Sequence, residues 1–578
     1  MTDRTKTGLE ILQAAFLVGI LGNLLLREAP WGLSAFLFVT SFVAAAAMIA
    51  VRRRPELLTG QNAALAGGML LLSSMFAWRD SEQLLVFDTL AIIVLMGVMM
   101  LSAMNVTARI GGVFHYAAGT LWAGINSAFA PAALLSTDIK WDAIPKMGWS
   151  RHLISAFRGL LIALPLILVF GALFAAADAA YASLIERVFN IPSETVFTHV
   201  LLTAVFFWLT AGYYRGLLLG LDSPAETASG AGEASPSAPN SELSIFDQVR
   251  AEDPLNPDAL PNNASILDHI NKSDPPNAEA SQVSQPTGKK KGWQWQNFDN
   301  SVLPQAFTLG VIETTIILGL INLLFISFVI IQVPYLFGGM ELVQNTPDFK
   351  LAEYARRGFG ELVAVTALVL PVLLLSHWLL RKDSPMNEKI FRIFAGIQIV
   401  LLFVIMASAA QRLFLLTGSL GYGLTTVRFY PMVVMIWFAI VFIWFGLTVL
   451  RGARQYFAWG ALWSAFFVLV GVHVINPDEF IAKTNVRLMS EGREFDAVYN
   501  ARLSSDAVPV LLESLGAMSF DDQCEVKYEL KDRLSALRAN AGVRTFSFSR
   551  SAAREQLQSA EFALETAGCP ERAYRIMD

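Results

Sequence analysis

The sequence predicts an all-α, polytopic transmembrane helical bundle of about 11 spans, with a small soluble helical domain at its C-terminal end. Three observations predict it. Hydrophobic residues make up 54% of the chain, charged residues 16%, and mean hydropathy is +0.49, a balance that belongs to membrane proteins. Apolar runs of roughly 20 residues, the length a bilayer core demands of a helix, recur along the chain. The runs are continuous rather than alternating, which selects helices over the strands of a barrel.

In order, the spans fall near 8–26, 31–51, 60–78, 84–104, 154–177, 197–220, 304–333, 359–380, 389–410, 430–450 and 455–474. Glu10 lies inside the first run and a second run follows after a short turn, so the first reads as a retained helix rather than a signal peptide. Residues 111–135 are also long enough to span. The preferred reading is a helix lying in the membrane interface, with Phe114, Ala118, Leu121, Ile125 and Phe129 as its apolar stripe and Trp122 at headgroup depth. If it spans instead, everything after it changes sides.

Lysine and arginine set the orientation, since short loops rich in them stay cytoplasmic. With the N-terminus inside, the inner connections hold Arg52, Arg53 and Arg54, then Lys140, Lys146 and Arg151, Lys289, Lys290 and Lys291, Arg381, Lys382, Lys389 and Arg392, and finally Arg451 and Arg454. The outer side has fewer, namely Arg27, Arg79, Lys350, Arg356, Arg357, Arg412 and Arg428. The expected organisation is a first block of six spans over 1–221, a disordered cytoplasmic linker over 222–302, a second block of five spans over 303–475, and a helical domain over 476–578 in the periplasm. The linker is rich in Pro, Ser, Ala, Asn and acids and ends in GKKKGWQWQ, a lysine and tryptophan anchor suited to anionic headgroups.

Helix signals alone fill the last hundred residues. Asn476 followed by Pro477 reads as a cap with proline at the first helical position, and SSDAVPVLLESLG carries a serine cap and a closing glycine. Two further amphipathic runs complete about five short helices. Cys524 and Cys569, the two cysteines of the chain, both lie here, and either a disulfide or two buried thiols fits the sequence.

No HExxH, GxSxG, CxxC or Walker loop occurs, and the six histidines show no ligand spacing. No metal, cofactor or nucleic-acid partner is therefore expected, and an enzyme is the less favoured class. The polar residues near the membrane are what remain. Glu353, Arg357 and Glu361 form an acid-base-acid stripe at i, i+4 and i+8 on one helical face. Together with Asp178, Arg412 and Arg428 they belong to the outer side in this topology, where arginines can hold a phosphate or carboxylate bidentately. The bland alternative is a set of ordinary helix pairs that tie loops together. Asp88 lies near an outer end where snorkelling is cheap, Glu313 and His377 lie near inner ends, and Asn322 is nearest to mid-membrane.

LAEYARRGFGELVAVTALVLP at 351–371, LPLILVFGALFAAADAAY at 164–181, QRLFLLTGSLGYGLTTVRFY at 411–430 and NPDEFIAKTNVRL at 476–488 resemble a family of bacterial multi-pass membrane proteins known only as a domain of unknown function, numbered forty-one seventy-three. The resemblance runs from about Ser150 to Leu515 without the linker. It implies a protein of the bacterial cytoplasmic membrane and brings no activity with it. The expected function is an envelope scaffold or receptor whose outer polar cluster binds an anionic envelope component, with a partner held through 476–578. The rival is a transporter of a small anionic or lipid substrate between the two blocks, and a membrane-embedded transferase ranks third.

Overall fold

Within a bilayer every backbone N–H and C=O must be satisfied inside its own segment, so continuous apolar runs become long helices. The computed structural model describes residues 2–27, 30–141, 193–220, 308–337, 351–381, 384–414, 417, 423–565 and 568–569. The span expected at 154–177, the linker at 222–302 and Asp178 lie outside the described residues.

Among the described residues before 221 the long helices are α1 (Asp3–Leu26), α2 (Leu33–Arg53), α3 (Gly60–Met75), α4 (Glu82–Met100), α5 (Val113–Ala133) and α6 (Ser193–Leu219). Five more follow: α7 (Val311–Phe337), α8 (Leu351–Leu379), α9 (Pro385–Phe414), α10 (Thr426–Thr448) and α11 (Phe457–Ile475). Among the described residues nine of these are long and apolar enough to cross a membrane, and the protein is membrane-embedded. Helix α3, expected over 60–78, stops at 16 residues and falls short of that length. Thr59 caps it by accepting from the Asn62 N–H at 3.3 Å.

Helix ends define two faces. At one, the fully buried carboxylate of Asp138 accepts from Arg4 Nε at 2.8 Å and Arg215 Nε at 2.7 Å, and Arg53 pairs with Glu10. This basic face also carries the ends of α8 to α11, where the Arg454–Tyr456 turn packs on the Ala108–Ile110 turn. Both ends of α5 lie here too. Tyr116 donates back to the Ala108 carbonyl at 2.8 Å, and the turn beyond Ala133 delivers Asp138 to its two arginines. In between, α5 crosses α4 where a Cβ on Gly97 would sit 2.4 Å from Thr120 Cα, and crosses α6 where one on Gly212 would sit 2.3 Å from the Asn126 carbonyl oxygen. Phe114, Leu121, Ile125 and Phe129 remain exposed along it.

Among the described residues three large apolar cores hold the spans, and a small cluster of Leu84, Tyr430 and Val472 joins α4, α10 and α11. Ile11, Val18, Phe42, Tyr213 and Tyr214 join α1, α2 and α6, with both phenols satisfied by carbonyls, at 3.0 Å from Met96 O and 2.6 Å from Phe42 O. Leu65, Met69, Leu72 and Leu95 join α3 and α4, and they take Ala458 and Phe466 from α11. Leu373, Phe391, Leu402, Phe442 and Phe445 join α8, α9 and α10. The last span thus packs among the early ones.

At the opposite face stands a helical domain of α12 (Pro477–Ser490), α13 (Ala497–Arg502), α14 (Val508–Ser514), α15 (Phe520–Ala539) and α16 (Phe548–Ser559). Its core is built from Ile481, Ala501, Leu511, Val526, Leu530 and Leu557. Ser519 caps α15 by accepting from the Asp522 N–H at 3.2 Å, and a disulfide joins Cys524 to Cys569 with Cα atoms 5.7 Å apart. The cap expected from Asn476 is absent. One residue both ends α11 and starts α12, so Asn476 takes φ +57°, and its Nδ2 donates to Glu479 Oε2 at 2.5 Å instead.

Gly97→Leu should force α4 and α5 apart at a cost of about 1–3 kcal/mol. A lowered melting temperature of the purified protein checks it, and an unchanged one would contradict the crossing.

Candidate functional site

The stripe expected to bind an anion lies on α8, whose far end meets Leu309 at the basic face, so Glu353, Arg357 and Glu361 occupy its turns nearest the domain face. Their side chains, and that of Arg412 near the end of α9, lie outside the described residues. Arg428 is described. It stands half-buried in the first turn of α10 and donates from Nη1 to the Gly423 carbonyl.

The segment before α10 is held by side chains that read its backbone. Asn485 of α12 accepts from the Leu424 N–H at 2.6 Å and donates to the Leu424 carbonyl at 2.9 Å and to Asn500 Oδ1 at 2.8 Å. Tyr499 accepts from the Thr426 N–H at 2.7 Å. Burial raises the Tyr499 phenol above its ordinary value, against the opposing pull of that hydrogen bond. Gly423 is required here, since its φ is +71° and a Cβ would sit 2.9 Å from Asn485 Oδ1. Between this strap and the turn after α12 lies a cavity of about 570 Å³, lined by Thr425, Asn485, Arg493, Glu494, Asp496 and Tyr499 among others.

A second polar cluster clamps the domain to the spans. In the turn between α3 and α4, Arg79 donates from Nη1 to Asp506 Oδ1 at 3.0 Å and from Nε to the His473 carbonyl at 3.0 Å. The Asp80 N–H donates to Asp506 Oδ2 at 3.0 Å, and the Asp80 carboxylate accepts from Ser505 Oγ at 2.5 Å and from Arg550 Nη1 at 2.8 Å. Backbone pairs complete the join, with Phe548 N–H on Ala77 O and Leu33 N–H on Phe546 O, each at 2.8 Å. Beneath the clamp His473 Nε2 lies 3.0 Å from Asp88 Oδ2, both side chains 1% exposed. Asp88 therefore does not snorkel as expected, because α11 presents an imidazole to it inside the bundle. Asp478 is buried beside them, its carboxyl pushed up by burial first and by Asp506 second, against hydrogen bonds from Ser504.

The family described as Domain of unknown function (DUF4153) matches the chain over residues 66–246 and 280–514. The chain belongs to this family. Its number is 4153, in place of forty-one seventy-three, and the match is wider than the resemblance because it takes in 66–149. No curated protein and no solved structure matches the chain. The DUF4153 match covers Arg79, Asp80, Asp88, His473, Asp478 and Asp506 and the whole lining of the 570 Å³ cavity, whereas α15, α16, Arg550 and the disulfide lie beyond it.

Of the residues singled out by sequence, Arg428 braces the strap by its bond to the Gly423 carbonyl, and it is Gly423 rather than Arg428 that lines the polar cavity. Asn322 joins α7 to α9, donating to Phe394 O at 3.0 Å, while Glu313 accepts from the Gly310 N–H at 3.0 Å and His377 stacks on Phe391. The clamp was not foreseen, for its partners lie hundreds of positions apart. No group of three metal-ligating side chains occurs among the described residues.

Arg79→Ala leaves Asp506 buried without its cation, a loss of about 3–5 kcal/mol for a buried pair. Faster amide exchange confined to the joining segments near 504–508 and 546–550 would register it, and unchanged exchange would refute the clamp. For Asp478 the folded state holds the proton more tightly than the unfolded chain, so the stability from this group is full below pH 3.8 and is lost as pH rises through the raised value. Asp478→Asn should therefore raise the melting temperature at pH 7, with the gain vanishing towards pH 4. An equal gain at both pH values would show that charge burial is not its source.

Proposed function

We propose that the protein is an envelope receptor or scaffold of the bacterial cytoplasmic membrane, with its N-terminus in the cytoplasm and its C-terminal domain in the periplasm. Two observations support the orientation. Arg4, Arg53, Arg54, Arg215 and Arg454 crowd the face opposite the domain, as cytoplasmic arginines do, and the Cys524–Cys569 disulfide suits an oxidising compartment.

The observation that carries the receptor reading is the 570 Å³ polar cavity built jointly by the start of α10 and the domain. Arg493 offers a guanidinium group to a phosphate or carboxylate, while Glu494 and Asp496 accept from hydroxyl or amine donors. An anionic envelope component that also bears donors fits such a lining.

A transporter is the second reading, favoured by an apolar cavity of about 490 Å³ between α4 and α10, that is, between helices from before and after residues 221–307.

Quantitative co-purification of the full-length protein tests the receptor. Arg493→Ala should cut the retained envelope component about tenfold at unchanged expression, as loss of about 1.4 kcal/mol would. Undiminished retention removes the site. Orientation is checked in intact cells with a membrane-impermeant thiol reagent, which should label Cys524 and Cys569 after external reduction alone. A requirement for permeabilisation reverses the topology.

A further inference from the structure

The loop that joins α15 to α16 runs over the ends of membrane helices. Arg544 Nη1 donates to the Leu24 carbonyl at 2.7 Å, and the carbonyls of Arg544 and Phe546 accept from the Ser34 N–H at 3.2 Å and the Leu33 N–H at 2.8 Å. Leu24 belongs to the last turn of α1, and Leu33 and Ser34 to the first turn of α2, two helices long and apolar enough to cross a membrane. Further along, the N–H groups of Phe548 and Ser549 donate to Ala77 O at 2.8 Å and Trp78 O at 3.2 Å in the turn between α3 and α4. The seating is close, since a Cβ on Gly32 would sit 2.4 Å from Phe546 O. The loop is thus pinned, largely through its main chain, at the height where these helices end.

A pinned backbone leaves its side chains little choice of direction. Ser547 is extended, at φ −140° and ψ 143°, so the side chains on either side of it turn the opposite way. Ser547 is fully buried against the protein, whereas Phe548 is 62% exposed and Val543, earlier in the loop, 77%. The rings of Phe546 and Phe548 meet edge to face at 5.1 Å. An apolar surface already leads to this place, for Leu17, Leu21 and Leu24 stand exposed on one face of α1 and the stripe ends where Arg544 is bonded. Trp31, whose carbonyl accepts from Arg550 Nη2 at 2.7 Å, stands beside the loop, and tryptophan collects at the headgroup level of bilayers. In water the outward phenylalanines would be held exposed, whereas at a bilayer boundary the same surface is covered.

We propose that the 543–548 loop is an interfacial anchor, which seats Val543, Phe546 and Phe548 in the boundary between headgroups and acyl chains of the leaflet at the domain face. The partner is the lipid surface itself, because the loop's own hydrogen bonds set it at the ends of α1 and α2, where spanning helices meet the headgroups. Arg544 and Arg550 serve to position the loop, through the Leu24 and Trp31 carbonyls and the Asp80 carboxylate. The anchor lies beyond residue 514, where the DUF4153 match ends. It needs neither the polar cavity nor a bound envelope component, so it and the receptor reading can fail separately.

The two cysteines of the chain are joined to each other, so a third, introduced by substitution, takes a nitroxide spin label alone. Full-length Val543→Cys and Phe548→Cys proteins are labelled and placed in vesicles of phosphatidylethanolamine and phosphatidylglycerol. Collisions of the label with oxygen, which concentrates in lipid, are then compared with its collisions with a water-soluble nickel chelate. Leu17→Cys, on the exposed face of α1, gives the lipid reference, and a nitroxide free in buffer gives the water reference. At both loop positions the ratio of oxygen to nickel collisions should shift from the water value towards that of Leu17→Cys. A water value at both would overturn the proposal. So would shielding of both labels from oxygen and nickel alike in vesicles that hold this protein alone, since another copy of the chain would then cover the loop. The unaltered protein provides a second measurement, illuminated in the same vesicles with a lipid that carries a diazirine at the glycerol end of its acyl chain. Label should appear on the 540–550 peptide, and its absence there while α1 is labelled would also overturn the anchor.

Discussion

The guanidinium of Arg79 ties together three parts of the chain that lie far apart in sequence. It belongs to the turn between α3 and α4, stacks over Trp78 at 4.6 Å, and reaches both the end of α11 through His473 O and the C-terminal domain through Asp506. Buried charges are tolerated only when paired and hydrogen-bonded. Asp506 is 5% exposed and meets that condition through Arg79, the Asp80 N–H and Ser549 at once. The same bond to His473 O holds the end of α11 at the height where its imidazole meets Asp88. A buried histidine–aspartate contact inside the bundle is in this way oriented by a clamp at its end.

Two attachments then fix the domain rather than one. The clamp grips it at Ser505, Asp506 and Arg550, while Asn485 and Tyr499 grip the strap before α10 from α12 and α13. A single contact would leave the domain free to pivot. With both made, the polar cavity between strap and domain has walls from two rigid elements, which is the preorganisation that recognition of a charged ligand requires.

Much of the fold was legible because membrane helices announce themselves locally. Continuous apolar runs located the nine described spans with ends that agree to within eight residues, and Pro477 marked the start of α12. What stayed hidden is long-range. His473 and Asp88 are 385 positions apart, and nothing near either predicts the other. Asp88 looked cheap to keep at a membrane edge, and only the packing of α11 on α3 and α4 reveals that it is enclosed. Arg428 was legible as a polar residue at a helix start, yet the cavity beside it is made by Asn485, Arg493 and Asp496, whose sequence context reads as an ordinary soluble helix and turn. Short-range patterns report burial and charge, but a site depends on which elements meet.

The apolar cavity between α4 and α10 persists for a related reason. Hydrophobicity does not drive helices together in lipid, so seams close where small residues let backbones approach. Gly97 closes α4 on α5, and Gly460, where a Cβ would sit 2.1 Å from Trp444 Nε1, closes α10 on α11. Between α4 and α10 the lining includes Phe87, Leu90, Ala91, Val94, Val434 and Trp437, bulky residues with the exception of Ala91 and with no glycine among them. Helix α11 is already committed to α3 and α4 through Ala458 and Phe466 and to α10 through Phe457. With both flanking seams fixed by glycine, α4 and α10 cannot close the remaining gap without breaking one of them. The gap is therefore a consequence of the two tight seams.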